Sequence, residues 1–356
     1  MKKTADYLTM LAVFLIPFGV LWAGAGSIHQ KQANAVLVAA LLVVAFRMGN
    51  RWLVMFGLYL TGWLCFAYSM VFSGLWHPAM AEVNQAACVL WLVGMLVFVG
   101  IYESRVPLSR YADGICISAL VMCAFVFLQV SGHDPLSSYL SVFTSPYAEK
   151  GFSFRTPAGI AGNSNFAGAF LAVSIPFFLR GRWRWCLPLL FAGLLLAHSA
   201  MSWIAVIVGL FFYFFGFWGL FGGLAVSAAF LLTIDHHRFN APLFENERFA
   251  YWQDAIQKTL YSWKTVVFGY GPGVSWKPDN KVHSEYVAAF FNFGLVGLSL
   301  VVGYAKSVLR APRMLLTPLL ILAVNCIGNH PFHVPATVML ALMVMALAQR
   351  EIDVPG

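Results

Sequence analysis

Residues 235–286 read DHHRFNAPLFENERFAYWQDAIQKTLYSWKTVVFGYGPGVSWKPDNKVHSEY. This is the longest polar interval in a chain otherwise made of apolar runs. Hydrophobic segments flank it directly on both sides, at 216–233 and from 286 onward. That alternation decides the fold class: the apolar segments build a membrane scaffold, and the polar stretch is carried on it.

Composition agrees. Of 356 residues, 60% are hydrophobic and only 10% charged, against about 25% charged in soluble domains, and the mean hydropathy is +0.77. Continuous rather than alternating apolar runs select helices over a closed barrel, the only other structure that satisfies its backbone in lipid. The expected fold is an all-α polytopic membrane protein with about twelve transmembrane helices (10–12) forming one integral membrane domain over 1–356. Its spans lie near 6–24, 34–49, 52–72, 84–102, 112–131, 164–180, 184–198, 200–215, 216–233, 286–304, 314–328 and 334–349. The first of these has an alternative. Lys2-Lys3, an apolar run and Ala23-Gly24-Ala25 also resemble a cleavable signal peptide.

The net charge of +8 does not point to nucleic acid, because the basic residues form no patch. With the N-terminus in the cytoplasm, the inner connections hold Lys2 and Lys3, Arg47 and Arg51, Arg105 and Arg110, Arg180, Arg182 and Arg184, Lys306, Arg310 and Arg313, and Arg350. The outer connections are mostly poor in Lys and Arg except the two long ones, which cross largely regardless of charge. This is the positive-inside pattern, and it places both termini inside. All nine histidines then fall on the outer side. The six cysteines lie in or beside apolar runs and read as small buried hydrophobes rather than disulfides or metal ligands. His330 and His333 with His236 or His237 could be combined into a zinc site, but no recognised ligand spacing supports it. Mid-span charges and inverted repeats of broken helices, which would favour a transporter, are scarce.

Within the large outer loop (234–285), Asn246 can cap a helix, and Phe249, Trp252, Ile256, Leu260 and Trp263 recur at helical spacing. The result is an amphipathic helix with an aromatic stripe, lying either along the membrane interface or packed on the bundle. Arg248 at its beginning suits a pyrophosphate clamp, since a planar fork grips phosphate oxygens bidentately and a helix N-terminus favours anions. An interfacial Arg binding ordinary headgroups is the alternative. Gly269, Gly271 and Gly273 permit a tight turn, and no Gly-Lys-Ser/Thr follows to make a P-loop. His283, with Glu285 two residues on, can take a proton from a hydroxyl nucleophile. A second outer loop (132–163) carries Arg155 and Asn163, and Asn165 follows it; Asn163 and Asn165 can cap the following helix.

Four places, in this order, resemble the O-antigen ligase and O-antigen polymerase superfamily, which includes the bacterial protein O-oligosaccharyltransferases. They are Arg155 through Phe166; Arg248 followed by Trp252; Phe268-Gly269-Tyr270-Gly271-Pro272-Gly273 with His283-Ser284-Glu285-Tyr286 and Phe293-Gly294-Leu295-Val296-Gly297-Leu298; and Asn329-His330-Pro331-Phe332-His333-Val334-Pro335-Ala336. The third is the most specific. The likeness covers about 150–356, and the remainder is similar only in hydropathy. The resemblance implies a metal-independent glycosyltransferase of the bacterial inner membrane, with its two long loops in the periplasm. The donor would be an undecaprenyl-diphosphate-linked glycan, and the acceptor another glycan, the lipid A core or a protein. Membrane lipids are the remaining partners, and neither nucleotide nor other cofactor is implied. Carried over, His283 activates the acceptor hydroxyl and Arg248 holds the diphosphate. Arg155, Asn163, Asn165, His198 and Glu285 are the candidate substrate-binding residues. One departure is plain: where ligases carry an Arg after Ser, this chain reads His198-Ser199-Ala200-Met201-Ser202-Trp203.

Overall fold

The structure is a computed structural model that describes residues 98, 100–104, 106–133, 157, 159, 161, 164–233, 246–270, 282, 284–329 and 335–353. Among these residues the chain is all-α, with helices and turns and no β-strand. The helices are α1 (Leu108–Val130), α2 (Ser164–Phe178), α3 (Leu187–Leu196), α4 (Ala200–Phe215), α5 (Phe217–Thr233), α6 (Asn246–Leu260), α7 (Trp263–Phe268), α8 (Glu285–Val308), α9 (Arg313–Gly328) and α10 (Pro335–Asp353). Proline marks several starts: Pro107 and Pro312 precede α1 and α9, and Pro335 opens α10. Its fixed φ is helix-ready, and its missing N–H falls where no intrahelical partner exists.

By length and composition alone, α1 is the one described helix long and apolar enough to cross a membrane. α2, α4, α5 and α9 are shorter apolar helices of 15–17 residues. Three expectations are corrected. The segment 184–198 forms a 3-10 turn over Arg182–Cys186 and then a helix of only 10 residues. At 1.5 Å per residue that helix is about 15 Å long, half of a bilayer core. In the 3-10 turn Arg182 and Arg184 lie over the rings of Trp183 and Trp185, at 5.3 and 4.8 Å, and Arg182 and Trp183 both donate to Asp113. The segment 286–304 is interrupted, because Gly294 has non-helical φ 60 and ψ −150. The aromatic stripe of the large loop is divided between two helices, with Ser262 capping α7 by accepting from the Lys264 N–H at 3.3 Å. The spans expected before residue 98 lie outside the described residues.

Small residues bring the helices together. A Cβ on Gly209 of α4 would lie 2.3 Å from Ile321 of α9; one on Gly168 of α2 would lie 2.7 Å from Ser199, and one on Gly193 of α3 2.7 Å from Cys123 of α1. Such contacts let backbones approach and gain dispersion energy without needing water to drive them. α5 is the extreme case. Its buried residues are Gly219, Gly223 and Ser227, set against α4 at Phe211 and Val208, while Phe217, Trp218, Phe221, Leu224 and Leu232 point outward. Cys116, Cys123 and Cys326 are buried, Cys186 is partly so, and none is in a disulfide; Cys65 and Cys88 lie outside the described residues.

The helix ends fall into two groups. One holds the Arg182–Asp113 ion pair at 2.9 Å, Arg350 donating to the carbonyls of Ser104 and Val106 at 3.0 and 2.9 Å, Arg180 over Tyr213, Arg313 beside Gly216 and Tyr102 donating to Asp353 at 2.8 Å. The other holds the Gln129–Gly159 pair and the junctions of α2, α4, α6, α8 and α9. The first group is rich in arginine; the second holds mostly uncharged polar residues together with Arg248 and Glu285.

At the arginine-rich end, hydrogen bonds from Gln349 and Tyr102 hold the Asp353 carboxyl below its ordinary range. A depressed folded-state value stabilises above the unfolded carboxylate range and loses that contribution as pH falls through the folded value. The melting temperature of the protein should therefore exceed that of Tyr102→Phe/Gln349→Leu at neutral pH, with the gap closing in acid. A gap that persisted below the carboxylate range would assign these residues a role independent of Asp353.

Candidate functional site

The C-terminal part of α9 receives Arg248 and the residues on either side of Glu285. Arg248, half-buried in the first turn of α6, donates its Nη1 to the Gly328 carbonyl at 2.7 Å. Carbonyls at a helix C-terminus lack intrahelical partners and carry partial negative charge, so a guanidinium there is favoured both as donor and as cation. Ser284, which follows His283 in sequence and is buried, donates its hydroxyl to the Cys326 carbonyl at 3.4 Å. Tyr286 donates to the Ala323 carbonyl at 2.9 Å. The chain segments bearing the two proposed catalytic positions are thus fastened to α9 two residues apart. Glu285 occupies the first turn of α8 between these anchors, half-buried.

From the other side, α4 reaches the same turn. Gly328 is so close to Met201 that an added Cβ would lie 3.0 Å from its side chain. Beneath it runs a buried polar chain. Ser199 and Ser202 share a hydroxyl hydrogen bond of 2.9 Å, and Ser202 donates to Asn325 Oδ1 at 3.0 Å. The Asn329 amide donates to the same oxygen at 3.4 Å, and Asn325 Nδ2 donates to the Ile321 carbonyl at 3.1 Å. Ser199, Ser202 and Asn325 are fully buried and Asn329 nearly so. An unpaired polar group in such a place costs several kcal/mol, and each of these has partners.

His198 sits at this junction. α3 and α4 are joined by Ala197, His198 and Ser199 alone, and His198 adopts φ 53, a left-handed conformation uncommon outside glycine although histidine is enriched there. Its N–H donates to the Leu195 carbonyl at 3.1 Å. Asn165 lies half-buried in the first turn of α2, one turn from Gly168, which abuts Ser199 and Ser202. Arg155, Asn163 and His283 lie outside the described residues.

The underside of α6 is closed by apolar packing: Ala255 joins Val282, Ala288 and Phe291, with Trp252 and Tyr270 against them. The flank beside this packed face is exposed: Phe249, Ile256 and Leu260 of α6, and after it Tyr261, 91% exposed, and Trp263 of α7. α7 then carries Gly269 into the interruption of α8. Tyr270 N–H donates to the Phe291 carbonyl at 2.9 Å, replacing a bond that the Gly294 break costs the helix. The Tyr270 hydroxyl donates to the Lys258 carbonyl at 2.7 Å. Burial raises the phenol above its ordinary value, which keeps this donor protonated.

Among the described residues no group of three His, Cys, Asp or Glu is placed to hold a metal; His236, His237, His330 and His333 are outside them. Ser202, Asn325 and Asn329 escaped sequence reasoning. The available signal was polar residues at i, i+3 or i, i+4 spacing in apolar runs: Ser199 with Ser202, and Asn325 with Asn329. Comparison with protein-family models, with curated proteins and with solved structures gives no match to this chain.

Proposed function

We propose that this chain is a polytopic inner-membrane glycosyltransferase of the O-antigen ligase and polymerase kind. It would span the bilayer about twelve times, with residues 132–163 and 234–285 in the periplasm and both termini in the cytoplasm. The observation that carries the reading is the shared footing of Arg248 and Ser284 on the last turn of α9. It supports a single outer site built from an arginine and the segment that bears His283. The outward apolar face of α5 and the arginine-rich opposite end of the bundle support a membrane setting with that end inside. The exposed stripe of α6 favours its interfacial placement among lipid headgroups.

In this reading His283 takes the proton of an acceptor hydroxyl. The hydroxyl oxygen attacks the anomeric carbon of the undecaprenyl-diphosphate-linked glycan. The new glycosidic bond forms as the bond to the diphosphate oxygen breaks, and the electron pair leaves with undecaprenyl diphosphate. Charge builds on that leaving group, so preorganised cations matter more than acid assistance. Arg248 is the cation this geometry offers, with Arg155 assisting.

Reconstitution tests it. Full-length protein in proteoliposomes, given undecaprenyl-diphosphate oligosaccharide and, in parallel, lipid A core, free glycan or peptide acceptors, should glycosylate one acceptor. It should release undecaprenyl diphosphate and do so unchanged in EDTA. Movement of labelled donor across the bilayer without product on any acceptor would replace the proposal with a lipid-glycan transporter.

A further inference from the structure

We infer that Asn325 is a positioning residue that sets Arg248 for a diphosphate ligand; the inference rests on the function proposed above. Arg248 is oriented by the Gly328 carbonyl. That carbonyl belongs to the last residue of α9, where a helix end would ordinarily fray. Here it does not stand alone. Asn325, one turn earlier, is fully buried and makes bonds in three directions: Oδ1 accepts from Ser202 and from Asn329, and Nδ2 donates back to the Ile321 carbonyl. The Asn329 backbone N–H also donates to the Asn325 carbonyl at 2.9 Å. Residues 325 and 329 thus bracket Gly328, and Ser202 ties the bracket to α4. Met201, next to Ser202, lies against Gly328 itself.

The chain Ser202, Asn325, Asn329, Gly328, Arg248 therefore joins α4, α9 and α6 through hydrogen bonds and one peptide step. Nothing in it requires Asn325 to touch the ligand. A planar fork of five donors can hold a carbonyl and a phosphate together, and its aim is only as good as the carbonyl it leans on. A leucine of similar size would strand the buried Ser202 hydroxyl and Asn329 amide that Asn325 Oδ1 accepts from, so the amide is needed here for its chemistry as well as its volume. Its function is to fix the geometry of the next shell outward, as outer-shell partners do around metals.

A double-mutant cycle on the full-length protein in nanodiscs tests this, with undecaprenyl diphosphate as the probe and its Kd as the readout. Arg248→Ala should weaken binding about 10–100-fold, the scale of a charge-assisted bond. Asn325→Ala should weaken it about tenfold, and in the Arg248→Ala background it should have no further effect. Ser202→Ala removes only the tie to α4. It should show the same dependence on Arg248 at smaller size, and it carries the test if Asn325→Ala fails to insert. Equal losses from Asn325→Ala in both backgrounds would make it a general structural residue and overturn the inference while leaving Arg248 as a clamp. Wild-type affinity in Arg248→Ala would overturn both the inference and the proposed clamp.

Discussion

Arg248→Ala is expected to slow glycan transfer about 10²–10³-fold, the usual cost of removing one preorganised donor from a developing charge. His283→Ala should slow it about 10²–10⁴-fold through loss of base assistance. In cells both variants should accumulate lipid-linked glycan while inserting in normal amounts. The two losses should differ in kind. Without Arg248, affinity for the diphosphate falls together with the rate. Without His283, binding is retained, and the residual rate should rise with pH as the acceptor hydroxyl supplies its own alkoxide. Arg248→Lys should rescue poorly, because an ammonium keeps the charge but not the fork that spans a carbonyl and a phosphate. Unchanged transfer by both alanine variants would remove the catalytic assignment.

The second large effect is structural. Gly269→Ala and Gly294→Ala should each destabilise the protein strongly, and Gly294→Val more so. Gly269 has φ 70 and ψ −162, and Gly294 has φ 60 and ψ −150. This region is occupied almost solely by glycine, and forcing another residue into it costs roughly 1–3 kcal/mol. The two glycines also face each other's backbones. A Cβ on Gly269 would lie 2.3 Å from the Asn292 carbonyl carbon and the Phe293 nitrogen, and a Cβ on Gly294 2.5 Å from the Val266 oxygen. Backbone cannot rotate aside as a side chain can, so the clash adds an overpacking cost of about 1–3 kcal/mol. Thermal unfolding in detergent measures this, with Gly303→Ala as a control that meets nothing within 4 Å. If Gly269→Ala melts with the control, α7 does not dock in the α8 break.

The helices Leu108–Val130, Ser164–Phe178, Ala200–Phe215, Phe217–Thr233 and Arg313–Gly328 were legible because their apolar runs are bounded by arginine, proline, glycine or short polar segments. The all-α class follows from the same feature. What escaped was anything set by a partner distant in sequence. Gly294 sits in an ordinary-looking apolar run, and its break makes sense only with Gly269 lodged against it. Trp263 continues the helical spacing of Leu260, so the stripe reads as one helix. The local sign of a new start is Ser262, an N-cap residue type just before Trp263. Arg248 was legible as a cation at a helix start; that it leans on the Gly328 carbonyl, 80 residues away, was not. Ser202 and Asn325 are 123 residues apart, and no local pattern pairs them.

That separation has a counterpart in time. α4 and α5 are connected by Gly216 alone, so their hairpin closes at almost no loop entropy and can form as soon as both helices are synthesised. At about 5–20 residues per second, the 123 residues between Ser202 and Asn325 take roughly 6–25 s to synthesise. The hairpin must therefore hold a polar serine through that wait. Ser199, one turn away and bonded to Ser202 at 2.9 Å, is a partner supplied by the same helix, so this hydroxyl can be satisfied before the distant Asn325 exists.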